Sequence, residues 1–394
     1  MLQTIPIMQR VPIGCGLANE TTQSYSEQTF GGIPLAVGQG YVARMGSTGA
    51  VTFSGSSFNT GTQSEPGLTR TGTTEVNRGY NLVGNPYPST VSWDDASKTN
   101  LETTLWYRTH NGSTMLYDTY NASGSLGTNN NLSGAVTGAI PPTQAFWVRV
   151  SADELTGALS FDNADRSHGS LAGVYKTEQE EGNIRMVLTN GTVSDEQIIA
   201  FNPSAQDGFD EYDSQKFWAS NIPQLYTHIG EDTLTINGLN SPTSTPTVAL
   251  GMKAPAQGEY TLNATSITFT ETGVYLEDTQ LGIFQDLNAA PTYSFTSEAG
   301  NIASRFVLHF SNTITGLNGW ENNINVFATN NAIQVNLTKA ETGTVTVLDM
   351  SGRMVYTQPI NSNRTTMHLN VTSGIYMVQV NLSEKSITRK VSIQ

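Results

Sequence analysis

Several features that mark common protein classes are scarce in this chain of 394 residues. The single cysteine, Cys15, excludes an internal disulfide and any zinc site built from several cysteines. No apolar run approaches the roughly 18 residues of a membrane-spanning helix. Only 13% of the residues are charged, against about 25% in an average soluble protein. Apolar residues do not recur at helical spacing in any stretch, so the sequence predicts no long amphipathic helix.

Basic residues are also scarce. The chain holds 19 Lys and Arg against 33 Asp and Glu, which gives a net charge of −14. Nucleic-acid binding needs clustered Lys and Arg that neutralise phosphates and release counterions. The sequence therefore argues against a nucleic-acid partner, and we interpret the acidic surface as serving solubility and, at one loop, calcium binding.

Thr, Ser, Asn and 37 Gly supply most of the polarity. Short runs with apolar residues at every second position alternate with clusters of turn residues, which is the pattern of β-strands joined by tight loops. The sequence predicts an all-β protein with two tandem β-sandwich or jelly-roll-like domains, followed by a small immunoglobulin-like β-sandwich. The predicted segments are a loose lead-in or remnant of a truncated domain (1–30), a β-sandwich domain (31–155), a β-sandwich or jelly-roll domain (156–312), a linker (313–323) and a C-terminal domain (324–394).

The first residues do not have the pattern of a secretory signal peptide. They contain no basic stretch at the start, and Pro6 and Gln9 interrupt the apolar residues that could form its core. An exported protein should carry such a signal, so if this chain is exported we expect further residues upstream of Met1.

A rigid corner is predicted where a short strand, Tyr80–Val83, runs into a segment rich in proline. Gly84 can adopt positive φ and end the strand. Pro86 and Pro88 force the residues before them into extended conformations, so the ring of Tyr87 is presented on a stiff loop.

Aromatic residues are concentrated in the first predicted domain. Tyr87, Trp93 and Trp106 are candidates for stacking on the apolar face of a glycan. The alternative is that these rings fill a core with few large aliphatic side chains. The later run 145–150 alternates two sets of side chains, which predicts a strand with one well-packed face.

The candidate metal ligands lie in one acidic loop, Asp207-Gly-Phe-Asp-Glu-Tyr-Asp. Asp207, Asp210 and Asp213 offer carboxylate oxygens of the kind that calcium prefers, although the loop lacks the EF-hand pattern. An acidic loop that caps the end of a sandwich is the alternative. No other cofactor is predicted.

No catalytic residue is assigned. The five histidines are scattered and none has metal-ligand spacing. His309 and His368 each lie between apolar neighbours on a predicted strand, so we expect both on a solvent face or at its rim. The sequence therefore predicts a protein that is not an enzyme.

The stretch from Ile324 to Gln394 has the most regular pattern. Strands with alternating apolar residues are predicted within Asn331–Leu337, Val345–Tyr356 and Met367–Val380. Gly352 and Gly374 are predicted to permit tight turns.

The order of these features, Asp-x-x-Gly-Arg, then Ser-Gly-Ile-Tyr-x-Val-x-Val, then basic residues and a short apolar end, resembles the C-terminal (type A) sorting domain of Bacteroidetes proteins exported by the type IX secretion system. The region from Gly31 to Val150, with its Gly-Tyr-Asn-Leu-Val-Gly-Asn-Pro-Tyr-Pro-Ser motif, and the region that begins near Asp207 resemble β domains found upstream of that tail. The resemblance places the sorting signal at Asp349, Gly352, Arg353, Gly374, Ile375, Tyr376, Val378, Val380, Lys385, Arg389, Lys390, Val391 and Ile393.

This resemblance implies a secreted or outer-membrane cell-surface protein whose partner is the type IX secretion machinery. The tail would be cleaved, and the protein either released or attached to lipopolysaccharide. The upstream domains would then serve adhesion, glycan binding or surface scaffolding, with glycans or extracellular host proteins as partners. Two alternatives stay open. The chain could be the accessory C-terminal portion of a larger secreted hydrolase, or the tail could be a stability domain without a signal.

Overall fold

The computed structural model describes residues 14–28, 35–44, 57–111, 114–167, 182–269, 272–311, 324–329, 332–337, 339–383 and 385–393. The chain divides into two compact units. Unit 1 comprises Met1–Glu180 and Thr189–Leu239, and unit 2 comprises Glu181–Leu188 and Asn240–Gln394.

Strands make up nearly all the regular structure of the described residues, together with a short 3-10 helix at Glu75–Asn77. In chain order the strands are β1 Gly14–Asn19, β2 Ser24–Gln28, β3 Tyr41–Arg44, β4 Gln63–Thr69, β5 Tyr80–Gly84, β6 Thr90–Ser92, β7 Ser97–Thr99, β8 Thr104–Asn111, β9 Thr114–Asn121, β10 Leu126–Gly127, β11 Ala139–Ile140, β12 Ala145–Arg149, β13 Thr156–Phe161, β14 Arg166–Ser167, β15 Asn183–Thr189, β16 Ser194–Phe201, β17 Ser214–Gln215, β18 Gln224–Ile229, β19 Asp232–Leu239, β20 Thr247–Ala254, β21 Gly258–Ile267, β22 Gly273–Asp278, β23 Ile283–Asp286, β24 Thr292–Ser297, β25 Gly300–Ser311, β26 Ile324–Thr329, β27 Ala332–Leu337, β28 Gly343–Leu348, β29 Met354–Ile360, β30 Arg364–His368, β31 Gly374–Leu382 and β32 Ser386–Ile393.

Unit 1 is built around a five-stranded sheet with the order β10-β9-β8-β12-β5. Three small sheets accompany it, with the orders β2-β1-β3, β11-β6-β14 and β4-β13-β7. Further along the chain, β19 pairs with β16 in parallel and with β17 and β18 in antiparallel fashion.

Both faces of β12 are buried, whereas the sequence predicted one packed face. Phe146 and Val148 point into a core that also contains Trp93. On the other face Trp147 packs against Phe217, with the ring centroids 6.0 Å apart. The prediction was wrong because the second face is covered by a distant segment between β17 and β18, which no local pattern reveals.

Residues 14–28 form paired strands and not a loose lead-in, one of the two alternatives that the sequence predicted for residues 1–30. β1 and β2 make an antiparallel hairpin, and β1 also pairs with β3. Glu20, in the hairpin turn, is buried and accepts hydrogen bonds from the N–H groups of Gly72 and Gly79 at 3.0 and 2.8 Å. These contacts across a long sequence separation fix the hairpin. Residues 1–13 lie outside the described residues.

The strands of unit 2 that precede the C-terminal module form two runs of neighbours. One run is antiparallel and has the order β23-β22-β25-β20, and the other has the order β15-β21-β24. β24 shows clean alternation, with Tyr293, Phe295 and Ser297 buried and Thr292, Ser294 and Thr296 exposed. This is the signature of a strand with one face on a core.

The C-terminal module, residues 324–394, is a seven-stranded sandwich within unit 2. Its two sheets have the orders β26-β27-β30 and β29-β28-β31-β32. Side chains from both sheets share one core, which consists of Ile324, Val326, Ala328, Ile333, Val335, Leu337, Val345, Val347, Ile360, Met367, Leu369, Tyr376, Val378, Val380, Leu382, Ile387, Val391 and Ile393.

A buried carboxylate joins the C-terminal module to the strands that precede it in unit 2. Oε2 of Glu277 on β22 is hydrogen-bonded to Nε2 of His309 on β25 at 2.8 Å, and Glu277 also forms an ion pair with Arg364 on β30. His368 is exposed, as expected, but His309 is buried. The expectation for His309 was wrong because Phe284, whose ring centroid lies 4.9 Å away, helps to cover that face of the sheet.

The predicted all-β, multi-domain fold class is confirmed. The predicted boundary at 155/156 lies inside unit 1 and the boundary at 323/324 lies inside unit 2, and both stay predictions about independent domains. The predicted linker, 313–323, falls outside the described residues. In the part of the chain that the structure describes, no helix is long and apolar enough to cross a membrane.

Candidate functional site

The turn between β28 and β29 carries the Asp-x-x-Gly-Arg motif and is closed by hydrogen bonds. The N–H of Gly352 donates to the carbonyl of Asp349, and the N–H of Asp349 donates to the carbonyl of Arg353, both at 2.9 Å. Oδ1 of Asp349 accepts from the N–H groups of Ser351 and Arg353 at 2.9 and 3.0 Å. Aspartate suits this position because its short side chain reaches backbone donors a few residues ahead.

The same turn presents a fixed cation to solvent. Nε of Arg353 donates to Oδ2 of Asp349 at 3.1 Å, yet 79% of the Arg353 side chain is exposed. Hydrogen bonds from the Ser351 hydroxyl, and from the backbone groups of Ser351 and Arg353, lower the pKa of Asp349 to about 2. The carboxylate is therefore charged near neutral pH and holds the guanidinium in place.

The remaining signature residues separate into two groups. Tyr376, Val378 and Val380 on β31, with Val391 and Ile393 on β32, are buried in the core of the module. Ile375 is 41% exposed, and Lys390 is exposed as well. Lys385 and Arg389 are intermediate, and Lys385 forms an ion pair with Glu341. Most of the signature thus builds the fold, and a smaller part reaches the surface.

The two signature glycines differ in conformation. Gly352 has a φ of +82°, in the left-handed region that favours glycine. Gly374 starts β31 without such a φ, and a β-carbon there would meet its nearest atom, Cε2 of Tyr376, at 3.7 Å, an ordinary contact. The requirement for a glycine in a tight turn therefore holds for Gly352 and does not extend to Gly374.

The three candidate sugar-stacking rings are buried. Trp93 and Trp106 are fully buried, and their indole N–H groups donate to backbone carbonyls at 2.7 and 3.0 Å. Tyr87 is 2% exposed, and its hydroxyl donates to the carbonyl of Phe161 at 2.9 Å. A sugar stacks on an exposed ring face, so these positions favour the core-packing alternative over a glycan platform.

A cleft of about 650 Å³ lies in unit 1 beside the Asn85–Pro88 corner. Tyr41 and Phe58 line it, and Phe58 is 79% exposed. Tyr87 forms part of the wall, while the two candidate tryptophans lie elsewhere. Among the three candidate rings, Tyr87 is therefore the one that borders a space wide enough for a ligand.

The carboxylates of the acidic loop in unit 1 accept hydrogen bonds from backbone N–H groups of the loop itself and of β19. Asp213 accepts from the N–H groups of Asp210 and Gly238 at 2.8 and 3.0 Å, and Asp210 accepts from the N–H of Tyr212 at 2.8 Å. Burial raises the pKa of Asp213 to about 7, against the opposing effect of these hydrogen bonds. Asp207 is exposed. Across the described residues, no group of three or more His, Cys, Asp or Glu side chains is placed to hold a metal ion. The calcium interpretation stays a prediction.

Sequence reasoning overlooked two methionines near the signature. Met354 opens β29 immediately after Arg353, and Met377 lies on β31 between two buried residues. The alternation rule that assigns Tyr376 and Val378 to the core already places Met377 on the opposite face. Alternation was therefore the sequence signal that could have placed Met377 on the outer face of the sheet.

A family model described as "Domain of unknown function (DUF8693)" matches residues 17–310, more than half of the chain. The chain belongs to this family. The DUF8693 region begins within β1 and ends within β25. It therefore includes the strands of unit 1 and the first part of unit 2.

A second model, described as "Domain of unknown function (DUF8694)", matches residues 314–393 of this DUF8693 protein and includes the described strands of the C-terminal module. The chain is also similar to the minor fimbrium subunit Mfa5 of Porphyromonas gingivalis, with 32% identity over 107 residues. That stretch covers 26% of this chain and spans 8% of the fimbrial subunit.

Proposed function

We propose that this protein is a non-catalytic, adhesin-like component of the bacterial cell surface, and that its C-terminal module directs export by the type IX secretion machinery. The observation that carries the export part is the exposed guanidinium of Arg353, held by Asp349 at the end of a well-packed sandwich. A recognition signal has to be accessible and preorganised, and this turn is both.

Similarity to a protein named as a fimbrium subunit supports the cell-surface part. The all-β architecture and the acidic composition agree with it. As partners we propose glycans or extracellular proteins. The similarity covers a small share of the fimbrial subunit, so its assembly and activity are not transferred to this chain.

Export is tested with Arg353→Ala in the full-length protein, expressed in a Bacteroidetes host that has the machinery. Because the side chain is largely exposed, its loss costs little folding free energy, within about 0.5 kcal/mol. We expect the variant to accumulate inside the cell, as measured by fractionation and immunoblotting. Arg353→Lys, which keeps the charge, should restore part of the export.

The control for Arg353→Ala is Thr388→Ala, an exposed change on β32. Thr388→Ala should be exported normally. Equal export of wild type and Arg353→Ala would contradict the proposal. Deletion of the last residues is a poorer test, because Val391 and Ile393 are buried in the core and their removal would unfold the module whether or not it carries a signal.

Adhesion is tested by probing arrays of glycans and extracellular matrix proteins with the full chain. We expect specific binding, which should weaken in Phe58→Ala if the cleft beside the Asn85–Pro88 corner takes part. Leu132→Ala is the matched control, because Leu132 is also largely exposed but does not line the cleft. Absence of binding across both arrays would contradict the adhesin part and leave the export part standing.

A further inference from the structure

The four-stranded sheet of the C-terminal module has one face on the core and an outer face that points away from it. On β28 the buried residues Val345 and Val347 face the core, so the residues between and after them face outward. The register pairs Leu348 with Met377 on one side, and on the other side with Met354, just past an irregularity in the β28–β29 register. Met354 is 59% exposed, which places its side chain on the outer face. These three side chains form a row across three strands.

Apolar residues on this outer face are gathered at one end. Ile375 lies two residues before Met377 on the same face, and its register partner on β32 is Ser392. Leu348, Met354, Ile375 and Met377 are named here the apolar patch. Met354 is 59% exposed, Ile375 is 41% exposed, and the other two are half-buried. The far end of the same face is polar and carries Thr344, Thr346, Gln379, Asn381, Ser386 and Thr388.

Cations border the apolar patch. Lys390 is the register partner of Met377 on β32 and is exposed. Arg353 directly precedes Met354 and is 79% exposed, although its Nε also donates to Asp349 in the same turn. The C-terminal module as a whole is also positively charged, since residues 324–394 hold six Lys and Arg against three Asp and Glu, a net charge of +3. Residues 1–323 hold 13 against 30, a net charge of −17.

We infer that the apolar patch is a docking surface for another protein, whose contacting surface presents apolar side chains flanked by Asp and Glu. The charge complementarity follows from Arg353 and Lys390 at the border and from the positive charge of the module. Methionine is flexible and polarisable, so two methionines beside Leu348 and Ile375 suit an interface that adapts to a partner's side chains.

An anionic membrane fits the charges less well. Each cation near an anionic bilayer contributes about 1 kcal/mol, and two are present at the patch. The remainder of the same chain carries a net charge of −17 and is repelled by such a surface.

A second copy docking patch to patch also fits poorly. A symmetric contact would bring Arg353 and Lys390 of both copies together and oppose like charges. The observations therefore favour a different, acidic protein as the occupant.

The test is site-specific photo-crosslinking of the full-length protein in its host. A benzophenone amino acid replaces Met354 or Met377 in the patch, or Thr344 or Thr388 at the polar end of the same face. Mass spectrometry then identifies both the partner and the cross-linked peptide. We expect the two patch positions to form adducts with a different polypeptide. The cross-linked peptide of that partner should contain apolar residues beside Asp or Glu. The two control positions should not form these adducts.

Charge reversal supplies the second arm. Lys390→Glu should lower the adduct yield at position 354 about tenfold or more, while Lys390→Arg should preserve it. Export of the same variants is measured in parallel. The inference does not require the partner to belong to the export machinery, so lost docking and lost export can be told apart.

Four outcomes would overturn the inference. They are adducts with a second copy of this chain, flotation of the protein with anionic phosphatidylglycerol vesicles in place of protein adducts, equal yields at patch and control positions, and no adduct at any position. Unchanged thermal unfolding of the variants shows that the fold is retained.

Discussion

The rings of Phe284 and Phe327 lie with their centroids 4.2 Å apart and their planes inclined at 45°. Phe284 belongs to β23 and Phe327 to β26, so this contact ties the C-terminal module to the strands that precede it in unit 2. Tyr275 completes a small buried cluster with them. The ion pair between Glu277 and Arg364 lies in the same unit and adds a polar link.

Phe327→Ala should therefore loosen the module as well as weaken its packing. Phe327 is fully buried, and removing a buried phenylalanine costs about 3–5 kcal/mol. Urea unfolding followed by circular dichroism should show this loss, and limited proteolysis should release the module more readily. Met350→Ala is the control, since Met350 is exposed in the same module and should change the unfolding free energy by less than about 0.5 kcal/mol. Equal stability of the two variants would contradict the linking role.

The two signature glycines should respond differently to alanine. Gly352→Ala forces a β-carbon into the left-handed region, which costs about 1–2 kcal/mol. Gly374→Ala introduces only an ordinary contact and also reduces the freedom of the unfolded chain, so we expect a change within about 0.5 kcal/mol. Thermal unfolding of both variants measures the difference, and a larger loss in Gly374→Ala would show that the turn assignment is wrong.

Buried carboxyl groups in unit 1 should make its stability fall as the pH rises. Burial raises the pKa of Asp118 to about 6, although hydrogen bonds from Asn130 and Thr109 oppose the shift. The folded protein binds this proton more tightly than the unfolded chain. The contribution to stability is therefore complete below about pH 4 and is lost as the pH rises through about 6. The pKa of Glu102 and that of Asp213 are raised to about 7 and act in the same direction.

Asp118→Asn tests this pH dependence. The amide can still accept from the N–H of Asn130 and can donate to the hydroxyl of Thr109, so the contacts are retained without the ionisation. Tryptophan fluorescence during urea unfolding reports mainly on unit 1, which holds four of the five tryptophans, Trp93, Trp106, Trp147 and Trp218. Between about pH 4 and 6 the variant should lose less stability than the wild type. Asp349→Asn, whose carboxyl titrates near 2, should leave the slope of the wild type unchanged in that range.

Glu20 should contribute in the opposite pH direction. Burial alone would raise its pKa, but hydrogen bonds from the backbone of Gly79, Thr71 and Gly72 and from the Thr69 hydroxyl outweigh burial and lower it. Its contribution is therefore present above the pKa of the unfolded chain, about 4.3, and is lost as the pH falls through the lower folded value.

Glu20→Gln replaces a carboxylate, which only accepts hydrogen bonds, by an amide. The NH₂ group of that amide would then face the backbone N–H donors that surround Glu20. We expect a loss of about 2–3 kcal/mol at neutral pH and a smaller difference from wild type in acid. Chemical unfolding at both pH values measures it. As a control, Glu65→Gln removes a carboxyl group whose pKa is raised by burial. Any loss of stability in Glu65→Gln relative to the wild type should therefore not become smaller in acid. A Glu20→Gln loss that is independent of pH would contradict the charge-based explanation.

The sequence alone was enough to predict strands within residues 331–337, 345–356 and 367–380 of the C-terminal module, which overlap β27 to β31. The alternation in residues 367–380 includes Tyr376, Val378 and Val380, which lie in the core of the module, because the side-chain period of a strand is fixed by its backbone. The Asp349–Arg353 turn was recognisable for the same kind of reason, since its hydrogen bonds join residues at most four positions apart.

The residues that sequence reasoning misplaced all depend on distant partners. Phe217 covers the second face of β12, so Trp147 became a core residue on a face that the pattern left open. Glu20 is held by backbone groups more than fifty residues away. His309 does turn away from its apolar neighbours, but Phe284 and Glu277 cover that face. Local periodicity carries no information about which segment packs against a given face.

For this protein the sequence by itself determined that the chain folds into β-sheets, where several strands of the C-terminal module lie, and that Gly352 permits a tight turn. These are consequences of backbone geometry and short-range hydrogen bonding. The tertiary structure decided which faces are covered, which aromatic rings are withdrawn from ligands, and that Met354, Met377 and Leu348 meet in one patch beside Lys390. Strand order and register set those contacts, and they are settled by packing between segments far apart in the chain.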